Sequence, residues 1–402
     1  MPATGTASIT AGTTRLYALD NLRALMMWLG IVLHVAAIHM VNDSPLPWRD
    51  ERTTVAADLL TAFIHAFRMP VFFILAGFFV AMLVQKRGAN EMLRNRLRRL
   101  GLPFVVFWPP LFVACVVFAL LYVHRMVRGT WGLDPAVMPV GPHVPTGLVT
   151  MHLWFLWMLM WFCVLTVPFL WLGRRLPAAT VRGAAGVLGR LGGTAWGFAL
   201  LAAPLAWVGA FYPQGIVVPS GAFFPPPAEW LHNGLFFVFG GVLWHQQQVL
   251  LPRYTRHWAW LGLGGLPFFL MTGALAEAQW RHLLPGWNLP LAIAWVYNCA
   301  SWLWSFAFIG LFLRYLQRPH RWLGYLADSS YWVYLLHMPL TIGFGALLYG
   351  APLPAMVKIT LNVMATTAVC LATYHLCVRF TAVGALLNGK RHARRQPLAT
   401  LG

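Results

Sequence analysis

The chain has 402 residues, of which 59% are hydrophobic, 15% aromatic and only 10% charged, far too few charges to coat a water-soluble globule. Apolar runs of roughly 20 residues, each enough to cross a hydrocarbon core about 30 Å thick, recur from end to end. A soluble enzyme, a secreted disulfide scaffold and a peripheral membrane protein are excluded, which leaves an all-α polytopic membrane protein. The 29 Lys+Arg against 10 Asp+Glu give a formal charge of +19. Those basic residues lie between the apolar runs with no aromatic–basic nucleic-acid module, so no nucleic-acid partner is expected. Cys115, Cys163, Cys299, Cys370 and Cys377 all fall inside apolar runs without paired spacing. They read as buried free thiols, with neither a disulfide framework nor a metal site.

In chain order, residues 1–20 lack the basic n-region and cleavage site of a signal peptide and read as a short disordered cytoplasmic tail. Ten spans are predicted, at about 21–41, 59–84, 101–123, 149–172, 193–211, 229–246, 258–277, 288–313, 325–349 and 354–379. They form a single membrane domain over 21–380, followed by a basic cytoplasmic tail over 381–402 that carries Lys390, Arg391, Arg394 and Arg395. Connections 85–100, 173–192, 247–257 and 314–324 are rich in Lys and Arg, whereas the connections alternating with them are nearly bare. That alternation places both termini in the cytoplasm. Matching halves of the transporter kind are absent. The Pro-rich outer stretch 212–228 reads as an ordered loop, either a plain connector or part of an outer vestibule.

An ionisable group at mid-membrane costs about 2.5–3.5 kcal/mol even on a lenient scale, so each one needs a reason. His34 follows Arg23 by eleven residues, within about 20° of three full helical turns. The two share a face, and His34 lies about 16 Å deeper, near mid-membrane. His65 and Arg68 are neighbours on the second span, with Arg68 about 14 Å from its outer end and Pro70 just beyond. Arg68 faces either a polar cavity or a structural partner such as a carbonyl or an acid. His337 sits midway along span nine. Arg23 can equally be an interfacial anchor, His34 a satisfied core histidine, and Arg96 with Arg99 plain positive-inside charges. His152, Asp328, Glu277 and Lys358 have ordinary interfacial or capping explanations. Together, the histidines of spans one and nine and the arginine of span two form a candidate site, because imidazole exchanges a proton near neutral pH.

LDNLRALMMWLGIVLHV resembles the first helix of the membrane acyltransferase 3 family, whose mark is Arg-x10-His, here Arg23 and His34. The family's second mark, Arg-x-x-Arg at the inner start of the third helix, matches Arg96 and Arg99 in RNRLRRLGLPFVVFW. HAFRMPVFFILAGFF, HLWFLWMLM, SYWVYLLHMPL and LLNGKR place the resemblance nearest the succinyltransferase-like branch for osmoregulated periplasmic glucans.

The resemblance implies an inner-membrane enzyme that moves an acyl group from a cytosolic acyl-CoA co-substrate, succinyl-CoA or acetyl-CoA, to a hydroxyl of an extracytoplasmic glycan. No metal is implied. Arg23, Arg96 and Arg99 would receive the CoA phosphates, and His34 would act as general base. Arg68 would face the oxyanion or a donor carboxylate, and His337, counted with His34 and Arg68 in the catalytic set, would like His65 either support the base or stand on the acceptor side. Direct transfer and an acyl-histidine relay both remain open. The acceptor is expected to be periplasmic glucan, with other glycans or a small molecule as alternatives, and glucan-synthesis proteins are possible partners beside the lipid bilayer. A rival reading is a transporter of protons or an anionic metabolite along the histidine–arginine path. No paired broken helices support that rival.

Overall fold

The computed structural model describes residues 6–42, 44, 46–139, 147–212 and 214–389, and these are helical with no strand among them. Among the described residues thirteen α-helices follow one another. They are α1 (Thr6–Ile38), α2 (Val55–Arg87), α3 (Ala89–Arg96), α4 (Leu102–Arg128), α5 (Trp154–Gly173), α6 (Ala178–Gly193), α7 (Gly197–Gly209), α8 (Pro227–His245), α9 (Gln247–Trp280), α10 (Leu289–Tyr315), α11 (Arg321–Leu348), α12 (Ala355–Thr373) and α13 (Ala382–Asn388). A π-helical stretch, Leu97–Gly101, joins α3 to α4, and a second one, Tyr374–Val378, extends α12. Local signals set several ends. Asn288 caps α10 by accepting from the Leu291 N–H, and Gly129, with φ +73°, closes α4 in the left-handed conformation.

Among the described residues, eight helices are long and apolar enough to cross a membrane, so the chain is a multi-pass membrane protein. The pair α6 and α7, bent by 113°, makes a ninth candidate. The fifth and sixth predicted positions, 193–211 and 229–246, correspond to α7, only 13 residues long, and to α8, of 19 residues. Neither is among the eight.

The first helix starts at Thr6, which corrects the disordered tail expected over residues 6–20. No proline interrupts residues 6–38, and the membrane segment has already met the cost of nucleation, so the helix propagates backwards. Likewise α13 orders the first part of the expected C-terminal tail. Residues 1–5, and the basic residues Lys390, Arg391, Arg394 and Arg395, lie outside the described residues.

Where the sequence predicts a single membrane domain, the chain divides into two compact units, interleaved along its length. Unit 1 comprises the described residues of Met1–Met26, Ala62–Arg96 and Leu148–Gly324. Its axis is α10, buried along nearly its whole length. Phe63 and Phe67 of α2 meet Trp304 of α10 edge to face, and Trp302 and Phe306 of α10 pack at a tilt of 38° against Phe236 and Phe239 of α8. Helices α2 and α8 approach backbone to backbone. A side chain at Gly77 would strike the Phe237 carbonyl, and one at Gly240 would strike the Ile74 carbonyl. Small residues at a helix crossing are the membrane's means of tight packing, since lipid supplies no hydrophobic drive.

Unit 2 comprises Met27–Thr61 and the described residues of Leu97–Gly147 and Tyr325–Gly402. Ile31, Val35 and Ala36 of α1, Val333 of α11, and Ile359 and Cys370 of α12 form its buried core. Polar groups add to it: Trp28 donates to the Leu326 carbonyl, and Asn362 of α12 donates to the Thr341 carbonyl of α11 at 3.0 Å. All five cysteines are free, and four are buried; Cys377 is exposed, which corrects the expectation that every thiol is buried.

Candidate active site

Residues 17–38 form one unbroken apolar helix, so the sequence spacing holds and Arg23 and His34 lie about 16 Å apart along its axis. In unit 2 the core residues Ile31 and Val35 turn one side of α1 inward beside His34, and Val333 does the same for His337 on α11. The two imidazoles meet with ring centroids 5.3 Å apart and planes tilted by 40°. His337 is fully buried, whereas His34 is only partly so.

The tautomer of His337 follows from its partners. Its Nδ1 lies 2.7 Å from the Tyr334 carbonyl and 3.1 Å from the Val333 carbonyl, one turn back on its own helix. A carbonyl can only accept, so Nδ1 carries the proton. In the neutral ring Nε2 is then the basic nitrogen. The result is an accessible imidazole beside a second whose orientation and tautomer are fixed by the backbone.

Arg68, in unit 1, is buried and its Nε donates to the Met26 carbonyl of α1 at 2.8 Å, with the Phe72 ring 5.9 Å from the guanidinium carbon. Of the alternatives the sequence left for Arg68, the carbonyl partner is thus present. Arg23, also in unit 1, forms an ion pair with Asp20 at 3.2 Å, and both side chains are 43% exposed. Arg96 ends α3 half-buried, and Arg99 lies exposed on the π-helical stretch that follows. In unit 2 the Arg99 backbone carbonyl accepts from the Tyr331 hydroxyl at 3.0 Å. The Arg99 guanidinium rests against Gly389, which closes α13 with φ +69°. That is the partly negative end of a helix, a favourable place for a cation. The structure therefore brings His34 and His337 together, and joins Arg99 to the LLNG turn.

Two groups of polar residues carry weak sequence signals. Lys358, expected to be interfacial, is buried instead: its Nζ donates to both carboxylate oxygens of Asp50, at 2.8 and 2.9 Å, and both side chains are 1% exposed. A lone lysine opening an apolar helix, with acids grouped in the 42–58 connection, was the available hint. Next to Asp50, Glu51 accepts from the Tyr349 hydroxyl at 2.9 Å.

The second group is in unit 1. His65 Nδ1 pairs with the Tyr297 hydroxyl at 2.9 Å, and His232 Nε2 lies 3.3 Å from Asn298 Oδ1. His65, Tyr297 and His232 line a cavity of about 20 Å³, room for about one water, together with Ile216 and Val217 of the Pro-rich loop. Glu229 fixes that loop by accepting from the Ser220 N–H at 2.7 Å, and Trp157 donates to the Phe223 carbonyl. The described residues of the stretch form no helix before α8 begins, and Ile216, Val217 and Pro219 from it line the cavity.

The profile of the acyltransferase domain family matches residues 16–380. Glucans biosynthesis protein C of Salmonella typhimurium strain LT2 is 26% identical over 405 residues, which cover 96% of this chain and 98% of that protein. The proteins of the same name from Salmonella agona and Salmonella heidelberg are each 25% identical over the same shares. No solved structure matches the chain. A family match along nearly the whole length, on a chain of membrane-crossing helices with the Arg-x10-His and Arg-x-x-Arg patterns in place, means that this protein belongs to the acyltransferase 3 family.

Proposed function

We propose that this membrane acyltransferase transfers a succinyl or acetyl group from cytosolic acyl-CoA to a hydroxyl of periplasmic glucan, across the inner membrane, with His34 as general base. The observation that carries the reading is the histidine pair: a partly exposed imidazole 5.3 Å from a buried one whose Nδ1 proton is held by backbone carbonyls. An orienting group behind a base is the recurrent arrangement for activating a hydroxyl.

In the proposed reaction the acceptor hydroxyl gives its proton to His34 as its oxygen attacks the thioester carbonyl. The tetrahedral intermediate collapses with cleavage of the C–S bond, and the imidazolium returns the proton to the departing CoA thiolate. Ester and thiol are the products, and no proton is left over. His337 positions the imidazole. The reading gives Arg68 the role of a cation toward the oxyanion or a succinyl carboxylate, and gives Arg23, Arg96 and Arg99 the CoA phosphates. The ten-span topology with both termini cytoplasmic belongs to the same proposal, since it gives the donor an inner entrance. The name shared by the relatives supports glucan as acceptor.

The experiment is transfer in reconstituted vesicles, with radiolabelled succinyl-CoA or acetyl-CoA outside or inside and periplasmic glucan on the opposite face. Label on glucan from one of the two donors is expected. Label on neither, with glucan from cells lacking the protein carrying the same acyl groups as wild type by mass spectrometry, contradicts the proposal.

A further inference from the structure

A groove of about 480 Å³ opens in unit 1 between the first turns of α9 and the last turn of α10, whereas the histidine pair belongs to unit 2. Its floor is apolar, made by Leu251 and Leu313, and its rim carries Arg256, Arg314, Trp258 and Tyr315. The Trp258 and Tyr315 rings meet edge to face at 5.6 Å. Both arginines are exposed. The stretches 230–276 and 278–327 contain no Asp or Glu, so neither helix supplies a carboxylate to neutralise them.

We propose that this groove is a binding site for the phosphate headgroup of an anionic phospholipid. Three features favour a lipid over a soluble phosphate compound. Helix α9 buries only 11% of its apolar window, so its sides face hydrocarbon, and Trp260 and Leu263 continue the apolar surface outward beside the groove. Counted from Trp280, Arg256 stands 24 residues along α9, about 36 Å, just beyond a core about 30 Å thick and level with the headgroups. Finally, 247–257 and 314–324 are basic connections, the side on which clustered Arg attracts anionic lipid. The headgroup sits between the two guanidiniums, the aromatic pair lies at the interface, and the acyl chains run down α9.

Native mass spectrometry of the full chain, released from nanodiscs of equal phosphatidylglycerol and phosphatidylcholine, tests this. Wild type is expected to retain phosphatidylglycerol in preference to phosphatidylcholine. The Arg256→Gln/Arg314→Gln variant should retain it about 30-fold less, the product of two roughly fivefold losses. Arg256→Lys/Arg314→Lys, which keeps both charges, should retain most of it. Equal retention by wild type and the Gln variant overturns the proposal, and so does equal retention of the two lipids by wild type. A third overturning outcome separates the soluble source: CoA or inorganic phosphate quenching Trp258 in an Arg256-dependent way while no phosphatidylglycerol is retained. None of these outcomes depends on whether the protein transfers acyl groups.

Discussion

His337 is the residue whose surroundings say most about its work. Its Nδ1 proton is committed to the carbonyls of Val333 and Tyr334 and its ring centroid lies 5.3 Å from that of His34, so substitution changes the surroundings of His34. His337→Gln is expected to lower kcat about 100-fold, the low end of a general-base contribution, to move the pH profile, and to leave the KM for acyl-CoA in place. An unchanged pH profile would reduce His337 to packing. The Asp50–Lys358 pair makes a separate prediction. Breaking a buried ion pair from one side strands a charge, so Lys358→Met should cost about 3–5 kcal/mol, measured by denaturant unfolding in detergent. Asp50→Leu with Lys358→Met removes both charges and should recover most of the loss. The histidines were legible in the sequence because an ionisable group amid apolar residues stands out. The Asp50 partnership was not, since the two residues meet only through the fold and each has an ordinary interfacial reading on its own.

Among the helices, close approach of backbones is what the apolar pattern could not reveal. Gly77 and Gly240 look like any glycine of a membrane helix, yet each has a carbonyl of the opposite helix where a Cβ would be. Gly240→Val should destabilise the protein by about 3 kcal/mol, the upper end of overpacking, because backbone cannot move aside as a side chain can. Gly273→Ala on α9, with nothing within 4 Å, is the matched control and should lie within about 0.5 kcal/mol of wild type or above it. Thermal unfolding of the two variants reads the contrast. Length and hydropathy did place α1, α2, α4, α5 and α9 through α12 near their expected positions. They failed at Thr6–Asp20, where composition looked like a tail but nothing breaks the helix. The π-helical stretch and Gly389 give Arg99 a setting that spacing alone did not show. Arg96→Glu with Arg99→Glu should raise the KM for acyl-CoA at least tenfold by placing carboxylates against phosphates. Gly389→Ala, which both strains a φ of +69° and crowds the Arg99 guanidinium, should move KM the same way by a smaller factor. KM values equal to wild type in both would return these arginines to topology.

For the molecule as a whole, the composition already demanded a membrane. The family match then gave the apolar helices a chemistry. What composition could not show is that the chain weaves two compact units, with α1 and α2 each contributing to both. The histidine pair lies within the unit that holds the end of α1 together with α11 and α12, built around Ile31, Val35 and Val333. That placement makes His34 testable apart from the arginines of unit 1. The decisive measurement is acyl transfer to glucan by His34→Ala in vesicles, with helical content and unfolding temperature recorded on the same preparation. A loss of about 10²–10⁴-fold in kcat from a protein folded like wild type is the expected result. Undiminished transfer by that folded variant would contradict the assignment of His34 as the base.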